Sequence, residues 1–167
     1  LRLMLYSRRP NWGCLLEHKI LLVDDDSLSL TGTKILLEQE GYLVHTAASG
    51  PEAVEKFRAN YRQYALVILD YQMKEMNGSA TIEALRQISK EAYILIHSGD
   101  SSREALSSTW KAGAVDFLAK GEDLKVFLAT IKSWCLKYDQ TIRLLVSNLT
   151  PTQNEKFIQS IGLVGRS

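Results

Sequence analysis

The sequence predicts a doubly wound α/β sandwich around a five-stranded parallel sheet, with an extended C-terminal helix. From His18 onward, short runs rich in branched apolar residues alternate with amphipathic segments of helix length, as successive β/α units require. Three of the runs, ILLV, LVIL and YILI, are apolar throughout instead of alternating, which is the pattern of strands covered by helices on both faces. Capping and turn residues fall between the runs and not inside them.

Taken in chain order, KILLVDD reads as the first strand. The helix after it is capped by Asp26 or Ser27, presents Leu28, Thr31, Gly32, Ile35 and Leu36 on one face, and is closed by Gly41. YLVHTAA is the second strand. Ser49, Gly50 and Pro51 then supply a cap and a first-turn proline for a helix with Ala53, Val54 and Phe57 on its apolar face. ALVILD, AYILIHS and AVDFLAK complete the sheet. Between them run a helix with the face Ile82, Leu85 and Ile88, and another closed by Gly113.

The last helix is too long for its strand. From Asp123 the positions Leu124, Phe127, Ile131, Trp134, Tyr138, Ile142 and Leu145 recur at three and four, almost to Asn148. At 1.5 Å per residue this spans about 37 Å, against roughly 17 to 20 Å for an average strand. The excess must pack on something. One reading folds it back on its own domain. The other makes it a signalling linker and homodimer seam, because Leu124, Ile131, Tyr138 and Leu145 keep a seven-residue repeat.

Composition narrows the function classes. A chain of 167 residues with 46% hydrophobic content holds one ordinary domain plus extensions. We divide it into an N-terminal extension over 1–18, a core domain over 19–132, and a helical linker with the truncated start of an output region over 133–167. Two cysteines, Cys14 and Cys135, make no disulfide framework, so a cytoplasmic location is expected. Net charge is +1, from 20 basic and 19 acidic side chains, which gives no general attraction to nucleic acid. No apolar stretch reaches the roughly 18 residues of a membrane span. Beyond Asn148 there is a Thr-Pro turn signal and no sustained periodicity.

Ligands of doubly wound sheets bind outside the carboxyl ends of the strands. The first strand ends in Asp24, Asp25 and Asp26, the third in Asp70, the fourth in His97 and Ser98, and the fifth in Lys120. In the flavodoxin-like order 2-1-3-4-5 the first and third strands are neighbours, so their carboxylates converge and repel. A cap for the next helix uses one of these acids and leaves Asp24 and Asp25 unexplained. Mg²⁺ prefers oxygen ligands and is commonly held by one or two carboxylates with phosphate oxygens, a role that suits Asp25 and Asp70. Lys120 and Ser98 offer donors to phosphate oxygens. A metal-bound carboxylate open to a phosphoryl donor is a nucleophile for phosphoryl transfer.

KILLVDDD, LVILDYQMKEMNG, ILIHSGD and AGAVDFLAKG, in this order and spacing, resemble the response-regulator receiver domain of bacterial two-component signalling, a CheY-like fold. The resemblance implies a phosphorylation-dependent switch and not a turnover enzyme. It implies Asp70 as the phosphorylated residue, Asp24 and Asp25 as the acidic pair with Asp25 a direct Mg²⁺ ligand, and the backbone carbonyl of Gln72 as a further ligand. Ser98 and Lys120 would hold the phosphoryl oxygens, and Ser98 with Phe117 would form the switch pair. The implied donor is a sensor histidine kinase or phosphotransfer protein. Gln72 and Asp100 occupy positions that influence hydrolysis rate in the family.

The chain departs from the family in three places. Gly121 follows Lys120 where a cis proline is usual, and a trans bond or a rearranged loop is expected because cis glycine costs roughly 2.5 to 4 kcal/mol. Lys74 stands where proline is common, and Phe117 lacks a tyrosine hydroxyl. Rival functions fit poorly. Three aspartates would repel the phosphate of a flavin, and a hydrolase pairing Ser98 with His97 fails because neighbouring strand residues face opposite sides. His18, His45 and His97 lack metal-ligand spacing and read as surface or packing residues. A receiver used as a constitutive dimerisation or docking module remains the alternative. The tail IGLVGRS resembles the start of the ATPase domain of enhancer-binding transcription activators, while LTPTQ resembles the lead into a helix-turn-helix output domain.

Overall fold

A computed structural model describes residues 18–161; the expectations for the N-terminal extension and for IGLVGRS after its first residue lie outside the described residues. Five strands, β1 (Lys19–Val23), β2 (Leu43–Ala47), β3 (Tyr64–Leu69), β4 (Ile94–Ser98) and β5 (Asp116–Ala119), form one parallel sheet in the order β2-β1-β3-β4-β5. This is the predicted order, and every predicted strand is present. The helices are α1 (Ser27–Gln39), α2 (Gly50–Asn60), α3 (Gly78–Ile88), α4 (Arg103–Ala112), α5 (Leu124–Ser147) and α6 (Pro151–Ser160).

The sheet separates two apolar layers. On one side Phe57 of α2 with Ile82 and Leu85 of α3 pack on Val67, Leu69 and Ile96. On the other, Leu37 of α1 with Phe127 and Ile131 of α5 pack on Leu22, Ile68 and Leu95. Every residue of β3 is buried, as a central strand covered on both faces requires. Local chemistry marks the helix ends as expected. Asp26 caps α1, Ser49 caps α2 with Pro51 in its first turn, and Gly41 and Gly113 take the left-handed φ values of 88° and 104° that end α1 and α4.

The rotation of α1 differs from the sequence reading. Leu28 is 83% exposed and Ile35 is 51% exposed, while Leu37 is fully buried with Leu30 and Leu36 against the same layer. Two apolar stripes compete on this helix, and a contact outside the apolar pattern decides between them. Ser29 Oγ donates to Asp24 at 2.6 Å, which turns the Ser29, Thr33 and Leu37 side inward.

The excess length of α5 lies along its own domain. Tyr138 donates to the carbonyl of Arg62 at 3.1 Å, Tyr93 and Thr141 hydroxyls meet at 3.0 Å, and Ile142 is buried. Ile131 and Tyr138, two of the four heptad positions, are therefore spent on the protein's own core, leaving Leu124 and Leu145 exposed. His18 and Asp139 hydrogen-bond at 2.9 Å, tying the residue before β1 to the fifth turn of α5. Burial pushes Cys135 and Tyr138 up to about 12, with the nearby Asp139 charge adding to the effect. Asp139→Ala leaves the His18 ring without this partner and is expected to cost about 1 to 3 kcal/mol. Urea unfolding would show it as a lower midpoint at unchanged slope.

Past Asn148 the structure adds α6, which the lack of periodicity did not announce. Its signals are local. Thr150 and Gln153 form a reciprocal capping box and Pro151 sits in the first turn.

Candidate functional site

The carboxyl edge of the sheet gathers Asp24 from the end of β1, Asp70 from the end of β3 and Lys120 from the end of β5. Lys120 Nζ donates to Asp24 Oδ2 and to Asp70 Oδ2, both at 2.8 Å. Asp24 and Asp70 are buried, and the ligand atoms of Asp24, Asp25 and Asp70 lie within 4.8 Å of one another. The acid cluster and lysine predicted from strand ends are thus brought together.

Backbone and side-chain donors orient each acid. Asp24 accepts from the Asp26 N–H at 2.9 Å and from Ser29 Oγ, Asp70 Oδ1 from the Gln72 N–H at 3.1 Å, and Asp25 Oδ2 from the Lys74 N–H at 3.2 Å. A proline at position 74 would have no such donor, so the departure noted in the sequence gives Asp25 a partner. Ser29 was not anticipated; its only signal is a hydroxyl in the first helical turn after an acidic strand end.

Burial raises the Asp24 carboxyl, but hydrogen bonds from Lys120, Ser29 and the Asp26 N–H outweigh it and hold the group below the usual carboxylate range. Burial lowers the Lys120 ammonium, and its bonds to both aspartates more than reverse this, raising it above the ordinary lysine value. The cation is therefore fixed in charge at neutral pH. Three hard oxygen donors packed this closely around one ammonium fit a Mg²⁺ ion, and Asp24, Asp25 and Asp70 are the residues that would hold it.

Ser98 is fully buried at the end of β4, where its Oγ accepts from the Asp100 N–H at 3.3 Å. The Gln72 side chain reaches Asp100 at 3.5 Å across the mouth of the site. Phe117 lies in β5, half-buried, in the layer beneath α3 and α4. The Lys120–Gly121 bond is trans, as expected, and Gly121 adopts φ 94°, a turn that glycine makes without strain.

None of the three histidines hydrogen-bonds the acids of this site; His18 bonds Asp139 of α5 instead. His97 packs against Phe127 with ring centroids 4.8 Å apart and planes tilted by 40°, on the face of β4 opposite to Ser98. Its imidazole is held below its usual value by burial first and by Lys120 second, against the opposing pull of Asp70 and Asp24. His45 bonds Tyr64 at 2.8 Å.

A 2-1-3-4-5 parallel sheet with an acid triad and lysine at its carboxyl edge defines a CheY-like α/β module. The chain belongs to the response regulator receiver domain family, whose sequence model matches residues 20–132. It is 34% identical over 148 residues to the transcriptional regulatory protein ZraR of Escherichia coli O157:H7, covering 89% of this chain and 31% of that protein. The chain thus spans about a third of that relative. Among solved structures it resembles the CheY-like receiver domain protein of Methanospirillum hungatei JF-1, with TM-score 0.70 and 27% identity over 74% of this chain and 98% of that one. It also resembles the response regulator TrrA of Thermotoga maritima, solved in complex with Mg²⁺ and BeF, with TM-score 0.64 and 31% identity over 70% and 98% of the two chains.

Proposed function

We propose that Asp70 accepts a phosphoryl group from a sensor histidine kinase or phosphotransfer protein, and that the acyl phosphate switches a downstream output, transcription in the simplest case. The observation that carries this is the Lys120 ammonium bridging acids from two neighbouring strand tips at 2.8 Å each. An Asp70 oxygen attacks phosphorus, the phosphorus–nitrogen bond of the donor breaks, and its electron pair leaves with the imidazole. A Mg²⁺ ion on Asp24, Asp25, Asp70 and the Gln72 carbonyl would neutralise charge on the transferred group. Lys120 and Ser98 supply donors to its oxygens.

Phosphorylation adds about −1.5 to −2 charges and three acceptor oxygens beside Ser98. In this reading Ser98 gives up the Asp100 N–H and turns to the phosphate, and the half-buried Phe117 turns further inward within the layer it already occupies. The role is that of a switch that assists its own phosphorylation and hydrolysis, not of a turnover enzyme. The ZraR likeness supports a transcriptional output, and a cytoplasmic location suits a kinase partner. Among the described residues no helix is long and apolar enough to cross a membrane. Homodimerisation through α5 belongs to the proposal at its outward side chains, such as Leu136 and Leu144, because the inner heptad positions are occupied.

Incubation with Mg²⁺ and acetyl phosphate, followed by intact mass, tests the reading. We expect one phosphoryl group, absent when the divalent ion is chelated. A protein that folds and takes up none would be a docking module only.

A further inference from the structure

Tyr71, the residue bonded to the acceptor Asp70, reaches away from the acid cluster toward α4. Its hydroxyl lies 3.0 Å from Ser108 Oγ. Ser108 has one hydroxyl proton, which it gives to the carbonyl of Ala105 at 3.0 Å, so Tyr71 is the donor in the pair. The other end of Tyr71 is fixed as firmly. Its carbonyl accepts from the Gly78 N–H at 2.9 Å, and a Cβ at Gly78 would fall 2.7 Å from Tyr71 Cα and 3.0 Å from its ring. Only glycine lets the start of α3 press this closely on the acceptor loop. The ring is half-buried in the apolar layer that also holds Phe117.

We infer that Tyr71 is a positioning residue that ties the acceptor loop to the middle of α4 and restrains that helix while Asp70 is unphosphorylated. The inference rests on the phosphoacceptor reading above. Turning Ser98 toward a phosphoryl group takes its Oγ from the Asp100 N–H and so removes a bond that holds the loop over 99–102 in place. The loop leads directly into α4, whose cap is Ser102. Tyr71 grips the same helix at its sixth residue, so in this inference a shift of the loop that carries α4 with it stretches the Tyr71–Ser108 bond. Phe117 has no hydroxyl and cannot make such a polar tie.

Tyr71→Phe keeps the ring against Gly78 and removes the hydroxyl; Ser108→Ala removes the other half. Amide hydrogen exchange of the full chain, without phosphodonor, should show α4 about fivefold less protected in each variant, with no further loss in the double variant and α2 unchanged. Phosphoryl uptake from acetyl phosphate should quicken by a similar factor, which a merely structural role would not produce. Unchanged α4 exchange, or single effects that add in the double variant, would overturn the tie, as would wild-type uptake kinetics in Tyr71→Phe. A wild-type chain that takes up no phosphoryl group sinks the phosphoacceptor reading instead, and the two failures are read from different samples.

Discussion

Asp70→Asn takes up no phosphoryl group under conditions that load the wild-type chain, while Asp24→Asn and Asp25→Asn retain a measurable, slower uptake. The difference follows from the lone pairs. Asp24 Oδ2 already accepts from Ser29 and Lys120, and its Oδ1 from the Asp26 N–H. Each Asp70 oxygen accepts one donor, Gln72 N–H on Oδ1 and Lys120 on Oδ2, so each keeps a lone pair for attack. An asparagine amide is also a poor isostere here. It has one acceptor to set against two donors, and in either orientation its NH₂ confronts a donor. That conflict is expected to cost about 1 to 3 kcal/mol, partly offset by relief of carboxylate repulsion. Intact mass reads the uptake and urea unfolding the stability, so loss of chemistry is distinguished from loss of fold.

Sheet order and the acid cluster were legible in the sequence because they are repetitive and convergent. Apolar runs such as LVIL identify a doubly covered strand, and the topology then brings Asp24, Asp70 and Lys120 to one edge whatever the details of the helices. Features set by single contacts were not legible. The inward face of α1 is chosen by the Ser29–Asp24 bond between two apolar stripes of similar strength, and a periodicity argument cannot weigh a hydrogen bond. Burial of Asp139 in α5 needs His18 opposite it, 121 residues away in sequence. The helix Pro151–Ser160 rests on end signals and has no fully buried residue of its own, so it leaves almost no hydrophobic pattern to read. The Tyr71–Ser108 contact depends on the close approach that Gly78 permits, which no spacing rule encodes.

Lys120→Ala separates metal binding from phosphoryl transfer by moving them in opposite directions. The Asp24 and Asp70 side chains are only 6% and 7% exposed, and the variant leaves them facing each other with no ammonium between. Removing one partner of a buried ion pair costs about 3 to 5 kcal/mol, so in chelator the variant is expected to unfold at much lower urea than the wild type. Mg²⁺ restores most of that loss, because the divalent charge meets the same carboxylates and no longer competes with a lysine for them; calorimetric titration should show tighter binding. Uptake from acetyl phosphate nevertheless falls, since the transferred oxygens lose a fixed donor. The pH profile carries the same signature. In the wild type the depressed Asp24 pKa contributes stability present above about 3.8 and lost as pH falls through its lower folded value, and the raised Lys120 pKa contributes stability present below about 10.5 and lost as pH rises beyond that. Without Lys120 the burial of Asp24 loses its chief opponent, so the acid limb of stability moves to higher pH and the alkaline limb assigned to this lysine disappears. An acid limb that stays in place, or Mg²⁺ affinity that falls, would mean that Lys120 is not what holds Asp24 in its charged form.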